Sequence, residues 1–383
     1  MNFHTATRLL IGLFIVPCAG QATALDLSRG IVVSPPGLSA PERMAVQVLV
    51  EEVEKRTQIR LPAASAWPTE PVPVIAVGPA SALKAFAGRY AATLSADRGA
   101  GGAEGYRIRV LKDGPAPAVM VVGNDPRGVL YGVGRLLRTL RMDRQRIQLP
   151  DDFNVASAPK TALRGHQLGY RPKTNAYDAW SVPMWEQYIR DLAIFGANAI
   201  ELIPPRSDDA DDSPHFPLPK MQMDAEMSRI ANEYGMDVWV WYPAMDKDYS
   251  DPKTVEFAVG EWAEFFKAMP RLDAVFVPGG DPGHTQPKHM FALLEKQTEN
   301  LHRFHPKAQM WMSPQGFNQE WMDEFYGLMR QEPAWMSGIV FGPQVRVSFK
   351  ELRERIPRRP WLLPPGNSPA CCRPPSTRTA AAV

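Results

Sequence analysis

The stretch Gly235–Gly283 reads GMDVWVWYPAMDKDYSDPKTVEFAVGEWAEFFKAMPRLDAVFVPGGDPG. It opens with an apolar and aromatic run, Val238–Tyr242, whose length and composition are typical of a buried strand. A run with helical spacing, Val255–Met269, follows, and a second apolar strand candidate begins near Asp273. The stretch therefore predicts one complete β/α unit and the start of the next.

The same unit recurs along the chain. Strand candidates begin near Leu163, Asn198, Asp237, Asp273, Ala308 and Gly338, and the first five precede helical runs at Pro183–Phe195, Met223–Tyr234, Val255–Met269, Lys288–Phe304 and Asn318–Arg330. Starts about 30–39 residues apart are typical of β/α units that form a parallel sheet. Six strands in series, with no phosphate-binding glycine loop at their start, favour a (β/α)8 barrel of the TIM type over a doubly wound sheet.

The preceding residues, 25–158, have a mixed α/β pattern. An amphipathic helix should begin at Ser39 and Pro41, because Met44, Val48, Leu49 and Val53 then form one apolar stripe. A second helix should run from about Pro126 to Leu140, and the polar segment Asp151–Lys160 predicts an extended linker. Strand candidates lie at Gly30–Ser34, Val72–Gly78, Tyr106–Lys112 and Ala118–Gly123. The fold class predicted is α/β, a small mixed N-terminal domain followed by the barrel over 161–356.

Both ends of the chain differ in pattern from these two parts. Arg8 precedes the apolar run Leu9–Gly20 and the small residues Ala22-Thr23-Ala24, which predicts a signal peptide over 1–24 and a secreted or periplasmic location. An uncleaved anchor is the alternative. Residues 357–383 are rich in Pro and Arg and show neither helical nor strand periodicity, which predicts a disordered or out-of-frame tail. Residues 161–356 are fewer than the ~250 of a typical barrel, so we expect an incomplete barrel of about six β/α units.

Composition excludes several classes of protein. The 383 residues are 45% hydrophobic and 22% charged, which is typical of a globular protein. A formal net charge of +2 gives no electrostatic reason to expect nucleic acid as a partner. Three Cys cannot form a disulfide scaffold, and the adjacent pair Cys371-Cys372 has no metal-site spacing. We expect no cofactor and no membrane span after the signal peptide; the oligomeric state is not predicted.

In a barrel of this type the active groups lie at the carboxyl ends of the strands. Asp281 is the strongest candidate, because Gly279-Gly280 before it and Pro282-Gly283 after it favour a tight turn that presents one carboxylate. The strand ends supply Asp281, Glu201 and Asp246 as candidate catalytic carboxyls, and Arg164, His166, Trp239, Trp241, His284, Trp311 and Gln315 as candidate substrate-binding residues.

Each candidate also has a structural interpretation. Asp281 could serve as a turn former or helix cap, and Glu201 as one partner of a surface ion pair. His166 could be a core histidine, while Trp239 and Trp241 could fill the barrel rather than stack on sugars. Two metal motifs are weak: His302-x-x-His305 lacks a third ligand nearby, and the acidic loop residues 208–212 are more typical of a solvated loop than of a Ca²⁺ site.

Two stretches resemble exported glycoside hydrolases. VMVVGNDPRGVLYGVGRLLRTL (Val119–Leu140) resembles the end of the small domain that precedes the barrel in family 20 β-N-acetylhexosaminidases and family 67 α-glucuronidases. Leu163-Arg164-Gly165-His166 is similar to the opening of those barrels, whose Arg binds the sugar. Gly279-Gly280-Asp281 is similar to the first part of the hexosaminidase Gly-Gly-Asp-Glu motif, in which the Asp orients the substrate and the Glu is the general acid. Here Pro282 occupies the Glu position.

The resemblance implies a carbohydrate substrate and a glycosidase-like protein, nearer the α-glucuronidase side because the hexosaminidase acid is missing. Glycoside hydrolysis needs two carboxyl groups, one protonated and one ionised. We assign Asp281 as one, Glu201 or Asp246 as its partner, Arg164 and His166 as sugar ligands, and the Trp residues as the stacking platform. The rival hypotheses are an inactive or truncated hydrolase, a carbohydrate-binding protein, and last a metal-dependent sugar isomerase using His166, Glu201 and Asp281.

Overall fold

The computed structural model describes residues 23–97, 99, 101–168, 180–206, 217–280, 284–357 and 361–363, the last three by backbone only. The predicted signal peptide lies outside these residues except for Thr23 and Ala24. Ala24 opens the first strand and pairs with Pro150, and the backbone N–H of Asp151 donates to the carbonyl of Thr23 at 3.1 Å.

The N-terminal part contains a mixed sheet and two small helical layers. Its elements are β1 (Ala24–Asp26), β2 (Ile31–Val33), α1 (Ala40–Thr57), β3 (Ala63–Ala64), β4 (Val74–Pro79), α2 (Leu83–Phe86), α3 (Ala91–Ala96), β5 (Tyr106–Leu111), β6 (Ala118–Gly123), α4 (Pro126–Leu137), β7 (Arg141–Asp143), β8 (Arg146–Pro150) and β9 (Val155–Ser157). The main sheet has the order β3-β2-β4-β6-β5-β9, with β5 antiparallel to both neighbours, and β1-β8-β7 form a separate antiparallel sheet.

Strand alternation sends side chains of this main sheet into two cores. In β6, Val119 and Val121 belong to the larger core with α1 and α4, whereas Met120 and Val122 belong to a smaller core with α2 and α3. The predicted α1 stripe is confirmed, and the helix begins at a capping box in which the backbone N–H of Ser39 donates to Glu42 at 2.7 Å. The second predicted helix ends at Leu137 rather than Leu140.

The remaining elements form a parallel β/α series, as predicted. They are β10 (Gly165–Gln167), α5 (Val182–Ile194), β11 (Ala199–Leu202), α6 (Lys220–Glu233), β12 (Asp237–Trp241), α7 (Pro252–Ala268), β13 (Ala274–Val277), α8 (Pro287–Phe304), β14 (Gln309–Met312), α9 (Gln319–Met329), β15 (Met336–Val340), α10 (Phe349–Arg355) and β16 (Trp361–Leu363). The sheet order follows the chain from β10 to β16, and every pair is parallel.

Two elements at the end of this series correct the sequence analysis. α10 adds a sixth helix, and β16 adds a seventh strand that pairs with β15 at Gly338 and Trp361. The prediction that nothing regular follows Ile356 is therefore wrong for residues 361–363; the rest of the predicted tail lies outside the described residues, as do Cys371 and Cys372.

Alternation also divides the barrel sheet into two faces. One face, including Val238, Val240 and Val275, packs against the surrounding helices in the larger core. The other, which we call the inner face, carries a separate cluster of buried residues: Ala199, Trp239, Trp241, Ala274, Phe276, Trp311 and Val340. The fold thus places one set of side chains inside the curved sheet and away from the helices.

The larger core is continuous between the two parts of the chain. It includes Val133 and Leu136 of α4 together with Ile189 and Ala193 of α5. The helices touch closely at Gly134, where an added Cβ would lie 2.3 Å from the carbonyl oxygen of Ile194. No helix within the described part of the chain is long and apolar enough to cross a membrane.

Candidate functional site

Glu201 is the carboxyl that the fold places on the inner face. It lies in β11, in register with Gln167 of β10 and Trp239 of β12, and its side chain is 0% exposed. The side-chain amide of Gln167 donates to Oε2 of Glu201 at 2.9 Å. Oε1 is buried and has no hydrogen-bond partner among the described residues. One side of this carboxyl is therefore satisfied and the other is left open.

Burial determines the charge of Glu201. Desolvation disfavours the carboxylate and raises the pKa of Glu201 to about 8, although the hydrogen bond from Gln167 acts in the opposite direction. The side chain is consequently protonated at neutral pH and can donate a proton or a hydrogen bond. A buried carboxyl with a raised pKa on the inner face of a barrel is the pattern expected of a functional acid.

The position of Glu201 follows from the alternation of β11. Ile200 and Leu202 enter the larger core with the helices, so Ala199 and Glu201 must point to the opposite face. Gln167 reaches the same face because it alternates with His166 in β10. Glu201 is a candidate in the sequence, whereas Gln167 was missed, because the three residues Gly165–Gln167 are too few to show which side chains share a face.

The aromatic residues of the inner face are buried against one another rather than exposed to a ligand. Trp239, Trp241 and Trp311 are 5%, 5% and 6% exposed, and the rings of Trp239 and Trp311 lie 5.3 Å apart between centroids. The indole N–H of Trp311 donates to Oε1 of Gln309 at 2.9 Å. An added Cβ at Gly338 would lie 1.9 Å from Cζ3 of Trp311, so glycine is needed where this ring crosses β15. These contacts are those expected of the core interpretation, and the role of the Trp residues as a stacking platform stays a prediction.

The carboxyl ends of β13, β14 and β15 meet closely around Gln315. The backbone N–H of Gly280 donates to the carbonyl of Gln315 at 3.0 Å, and an added Cβ at Gly342 would lie 1.9 Å from Oε1 of Gln315. Gly279 has a φ of +71° and approaches the carbonyl of Ser313 so closely that a Cβ would lie 2.1 Å from it. Gln315 itself is buried and follows β14, and its role in substrate binding stays a prediction.

Asp281 lies outside the described residues, together with Pro282 and Gly283. The residues on either side are bonded to each other, because the backbone N–H of His284 donates to the carbonyl of Gly280 at 2.8 Å. The His284 backbone has a φ of +52°, and the residue is exposed. The roles of Asp281 and His284 therefore stay predictions.

Asp246 is neutralised by a neighbouring cation. Both of its carboxylate oxygens accept hydrogen bonds from Arg206, at 3.1 and 3.0 Å, and Arg206 also pairs with Glu261 of α7 at 2.6 and 2.9 Å. The hydroxyl of Tyr249 donates to Asp246 as well. This network ties the segments that follow β11 and β12 to α7. Of the two alternatives for the second carboxyl, the geometry supports Glu201 over Asp246.

Arg164 and His166 make contacts away from the inner face, and their role as sugar ligands stays a prediction. Arg164 precedes β10 and forms an ion pair with Glu104, while its Nε donates to the carbonyl of Gly196 at 2.8 Å. His166 alternates with Gln167 and faces the helices, where its Nε2 lies 2.8 Å from the hydroxyl of Tyr188. Burial lowers the pKa of His166.

The weak metal motifs are explained by backbone contacts. His302 Nε2 lies 2.9 Å from the carbonyl oxygen of Ala308, and His305 Nε2 lies 2.8 Å from that of Phe266. Within the ranges that the structure covers, no group of three His, Cys, Asp or Glu side chains could hold a metal ion. The acidic residues 208–212 lie outside those ranges.

Comparison with known proteins identifies similarity through structure only. No family profile and no curated protein sequence matches this chain. Among solved structures, it is similar to the protein CpGH84B, with a TM-score of 0.57, 13% identity, and coverage of 87% of this chain and 57% of that one. It is equally similar to a mutant β-hexosaminidase of Streptomyces plicatus in complex with its product GlcNAc, with a TM-score of 0.57, 14% identity, and coverage of 84% and 72%.

A third structure, an inactive mutant of a family 20 exo-β-N-acetylglucosaminidase from Vibrio harveyi, gives a TM-score of 0.54 at 12% identity, with coverage of 83% of this chain and 58% of that one. This chain therefore spans little more than half the length of CpGH84B and of the Vibrio protein. At such identities the similarity concerns the fold. It confirms the predicted class, an N-terminal α/β domain followed by a TIM-type barrel.

Proposed function

We propose that this chain is an exported glycoside hydrolase-like protein that acts on O-glycosidic bonds of a polysaccharide or oligosaccharide. The observation that carries the proposal is Glu201, a carboxyl with a pKa of about 8 on the inner face of a barrel with this fold. Glycosidic cleavage requires one carboxyl that is protonated at working pH, and burial supplies that state here.

The chemistry assigns a role to each of two carboxyl groups. Glu201 would give its proton to the leaving glycosidic oxygen as the C–O bond breaks, with Gln167 holding Oε2 and Oε1 left without a partner among the described residues. Asp281, which the Gly-Gly-Asp turn is expected to present, would be the ionised partner: it would either bond to the anomeric carbon, with water then releasing the sugar, or take a proton from the water that attacks this carbon. Two residues would bind sugar hydroxyls: His284, which follows this turn in the sequence, and Gln315, which follows β14.

The substrate class rests on two separate resemblances. The solved structures with this fold include enzymes named for N-acetylglucosamine substrates. The sequence motifs also resemble α-glucuronidases, and the absence of a Glu after Asp281 favours that side. The first assay should therefore include both N-acetylglucosaminides and glucuronides. The predicted signal peptide over 1–24 supports a secreted or periplasmic location.

The test is a hydrolysis panel on the purified protein. The substrates are aryl β-N-acetylglucosaminides, aryl α-glucuronides and glucuronoxylan oligosaccharides. We expect one class to be cleaved, with Glu201→Gln and Asp281→Asn each lowering kcat/KM about 10²–10⁴-fold, the range for loss of an acid or base group. Because Glu201 is active when protonated, activity should fall as pH rises through its pKa of about 8.

The matched control is Asp323→Asn, which changes a carboxyl on the exposed side of α9 that pairs with Arg355. It should leave kcat/KM unchanged. Cleavage that persists in Glu201→Gln, in protein whose circular dichroism matches the parent, would contradict the proposed role of this residue. Failure to cleave any substrate would contradict the enzymatic proposal.

A second candidate function is carbohydrate binding without catalysis. It is favoured by the complete burial of Glu201, which has 0% exposure, and by Pro282 at the position of the hexosaminidase acid. This candidate predicts that the parent protein binds oligosaccharides from the same panel, measured by calorimetry, and that none of them is cleaved over long incubation.

A further inference from the structure

The N-terminal part has a cleft that the proposed reaction does not use. It lies between the segment that follows β3, the turn Gly88–Tyr90 and the loop between β5 and β6, and its volume is about 320 Å³. This size is at the lower end of the ~300–1,000 Å³ of small-molecule pockets. The residues that matter in its lining are Trp67, Glu70, Pro71, Arg89, Tyr90 and Pro115.

The aromatic rings of the cleft are held in place. The indole N–H of Trp67 donates to the carbonyl of Phe86 at 2.7 Å, and its ring lies 5.9 Å from that of Tyr90 at an angle of 53°. Trp67 is nevertheless only half-buried, although Phe86 and Tyr90 next to it belong to the smaller core. A fixed and partly exposed Trp is a preorganised surface for an apolar face of a ligand.

Two glycines keep side chains away from these rings. Gly88 has a φ of +53°, and an added Cβ there would lie 2.7 Å from the Trp67 ring. At Gly114 an added Cβ would lie 2.6 Å from the hydroxyl of Tyr90. Any larger residue at either position would fill the space beside the aromatic rings, and Gly88 is also favoured by its left-handed backbone.

The charged residues of the cleft are available to a ligand. Glu70 and Arg89 are exposed, and neither forms an ion pair with another residue in the described ranges. A carboxylate accepts hydrogen bonds from hydroxyls, and a guanidinium donates to hydroxyl or carboxylate oxygens. An aromatic ring for C–H faces combined with separate acceptor and donor groups suits a pyranose unit. A proline-rich peptide would use the rings but has little use for both charges.

We propose that this cleft is a second carbohydrate-binding site, which holds a pyranose unit of the polysaccharide on which the protein acts. The choice of polysaccharide rests on the proposed function. The cleft lies beside the smaller core of α2 and α3, whereas α1 and α4 on the opposite side of the sheet pack toward the barrel. The cleft would therefore bind a part of the polysaccharide that is remote from the inner face of the barrel sheet.

The test separates polysaccharide binding from cleavage. Affinity electrophoresis and calorimetry of the full chain use glucuronoxylan and chitin oligosaccharides, and hydrolysis is measured in parallel with a single-sugar aryl glycoside. We expect Trp67→Ala to weaken polysaccharide binding about tenfold or more, Trp67→Phe to restore part of it, and both to leave aryl-glycoside cleavage unchanged. Glu70→Gln combined with Arg89→Gln, at exposed positions that tolerate change, should also weaken binding.

The matched control is Lys84→Gln, an exposed change on α2 outside the cleft lining, which should bind like the parent. Unchanged polysaccharide binding in Trp67→Ala and in the double variant would overturn the proposal. Tight binding of a proline-rich peptide that polysaccharide does not displace would also overturn it. If no aryl glycoside is cleaved but Trp67-dependent binding is found, the proposed reaction fails and this site stands.

Discussion

Glu104 and Glu201 are both carboxyls largely removed from solvent, yet their surroundings have opposite effects. Burial alone would raise the pKa of Glu104, but hydrogen bonds from Arg127, Arg164 and Asn198 hold it below the ordinary value. Among the described residues, Glu201 receives one hydrogen bond from Gln167 and pairs with no cation, so burial raises its pKa to about 8.

The difference separates a structural carboxylate from a candidate acid. Glu104 pairs with Arg164, which precedes β10, and with Arg127, which also pairs with Asp237 at the start of β12. These opposite charges compensate one another where the N-terminal part meets the amino ends of the barrel strands. Glu201 lies on the inner face, where the surrounding residues are mainly apolar and aromatic. A buried carboxyl without a cation costs stability, and such a cost is typical of functional sites.

The largest effect is expected from removal of Glu104. Glu104→Ala leaves Arg127 and Arg164 without this carboxylate, and breaking a buried pair in this way costs about 3–5 kcal/mol of the free energy of unfolding. Urea denaturation at pH 7 measures it. As a control, Glu54→Ala removes an exposed partner of Arg60 and should cost less than ~1 kcal/mol. Equal costs for the two variants would break the comparison.

A smaller effect, of opposite sign, is expected at Glu201. Its folded-state pKa is raised, so the parent loses stability as pH rises from the unfolded pKa near 4.5 to about 8. Glu201→Gln cannot ionise. Its free energy of unfolding should therefore rise relative to that of the parent by about 3 kcal/mol between acid conditions and pH 7. Urea midpoints at pH 5, 7 and 8 measure the gain. A constant difference between the two proteins across this range would show that Glu201 is not protonated in the fold.

The smallest effect concerns the packing that surrounds Glu201. Gly338→Ala places a methyl group against Trp311, which packs on Trp239, the register neighbour of Glu201. Overpacking of this kind costs about 1–3 kcal/mol. In contrast, Gly260→Ala in α7 meets open space and should stabilise by about 0.5–1 kcal/mol. Thermal denaturation of both variants compares the packing of the inner face with that of α7. A stabilising Gly338→Ala would show that the inner face is loosely packed.

Much of the fold could be predicted because its signals are local. The β/α series is marked by strand composition, helical spacing and the glycines Gly196 and Gly235, which follow α5 and α6 with φ of +94° and +69°. β16 was missed because three residues between prolines show no period, and only its pairing with β15 defines it as a strand.

The candidate site was harder to predict because partners distant in sequence decide it. Arg164 bonds to Glu104, 60 positions away, and Asp246 to Arg206, 40 positions away, and neither pairing has a signal in the sequence. Gln167 was missed because β10 has only three residues, and its face becomes clear only from its register with Glu201 of β11. Glu201 was identified because a carboxylate inside an apolar strand is visible without its partners.

The contact of Gly134 with Ile194 has a consequence for how the chain can be divided. With no side chain at Gly134, α4 lies directly on the last turn of α5, and the hydrophobic residues of both parts form one cluster. Residues 151–160, predicted as an extended linker, include β9, which pairs with β5 at the edge of the main sheet. A fragment that ended there would expose to water the apolar residues of α4 that pack against α5, so we expect the N-terminal part to be less stable without the barrel.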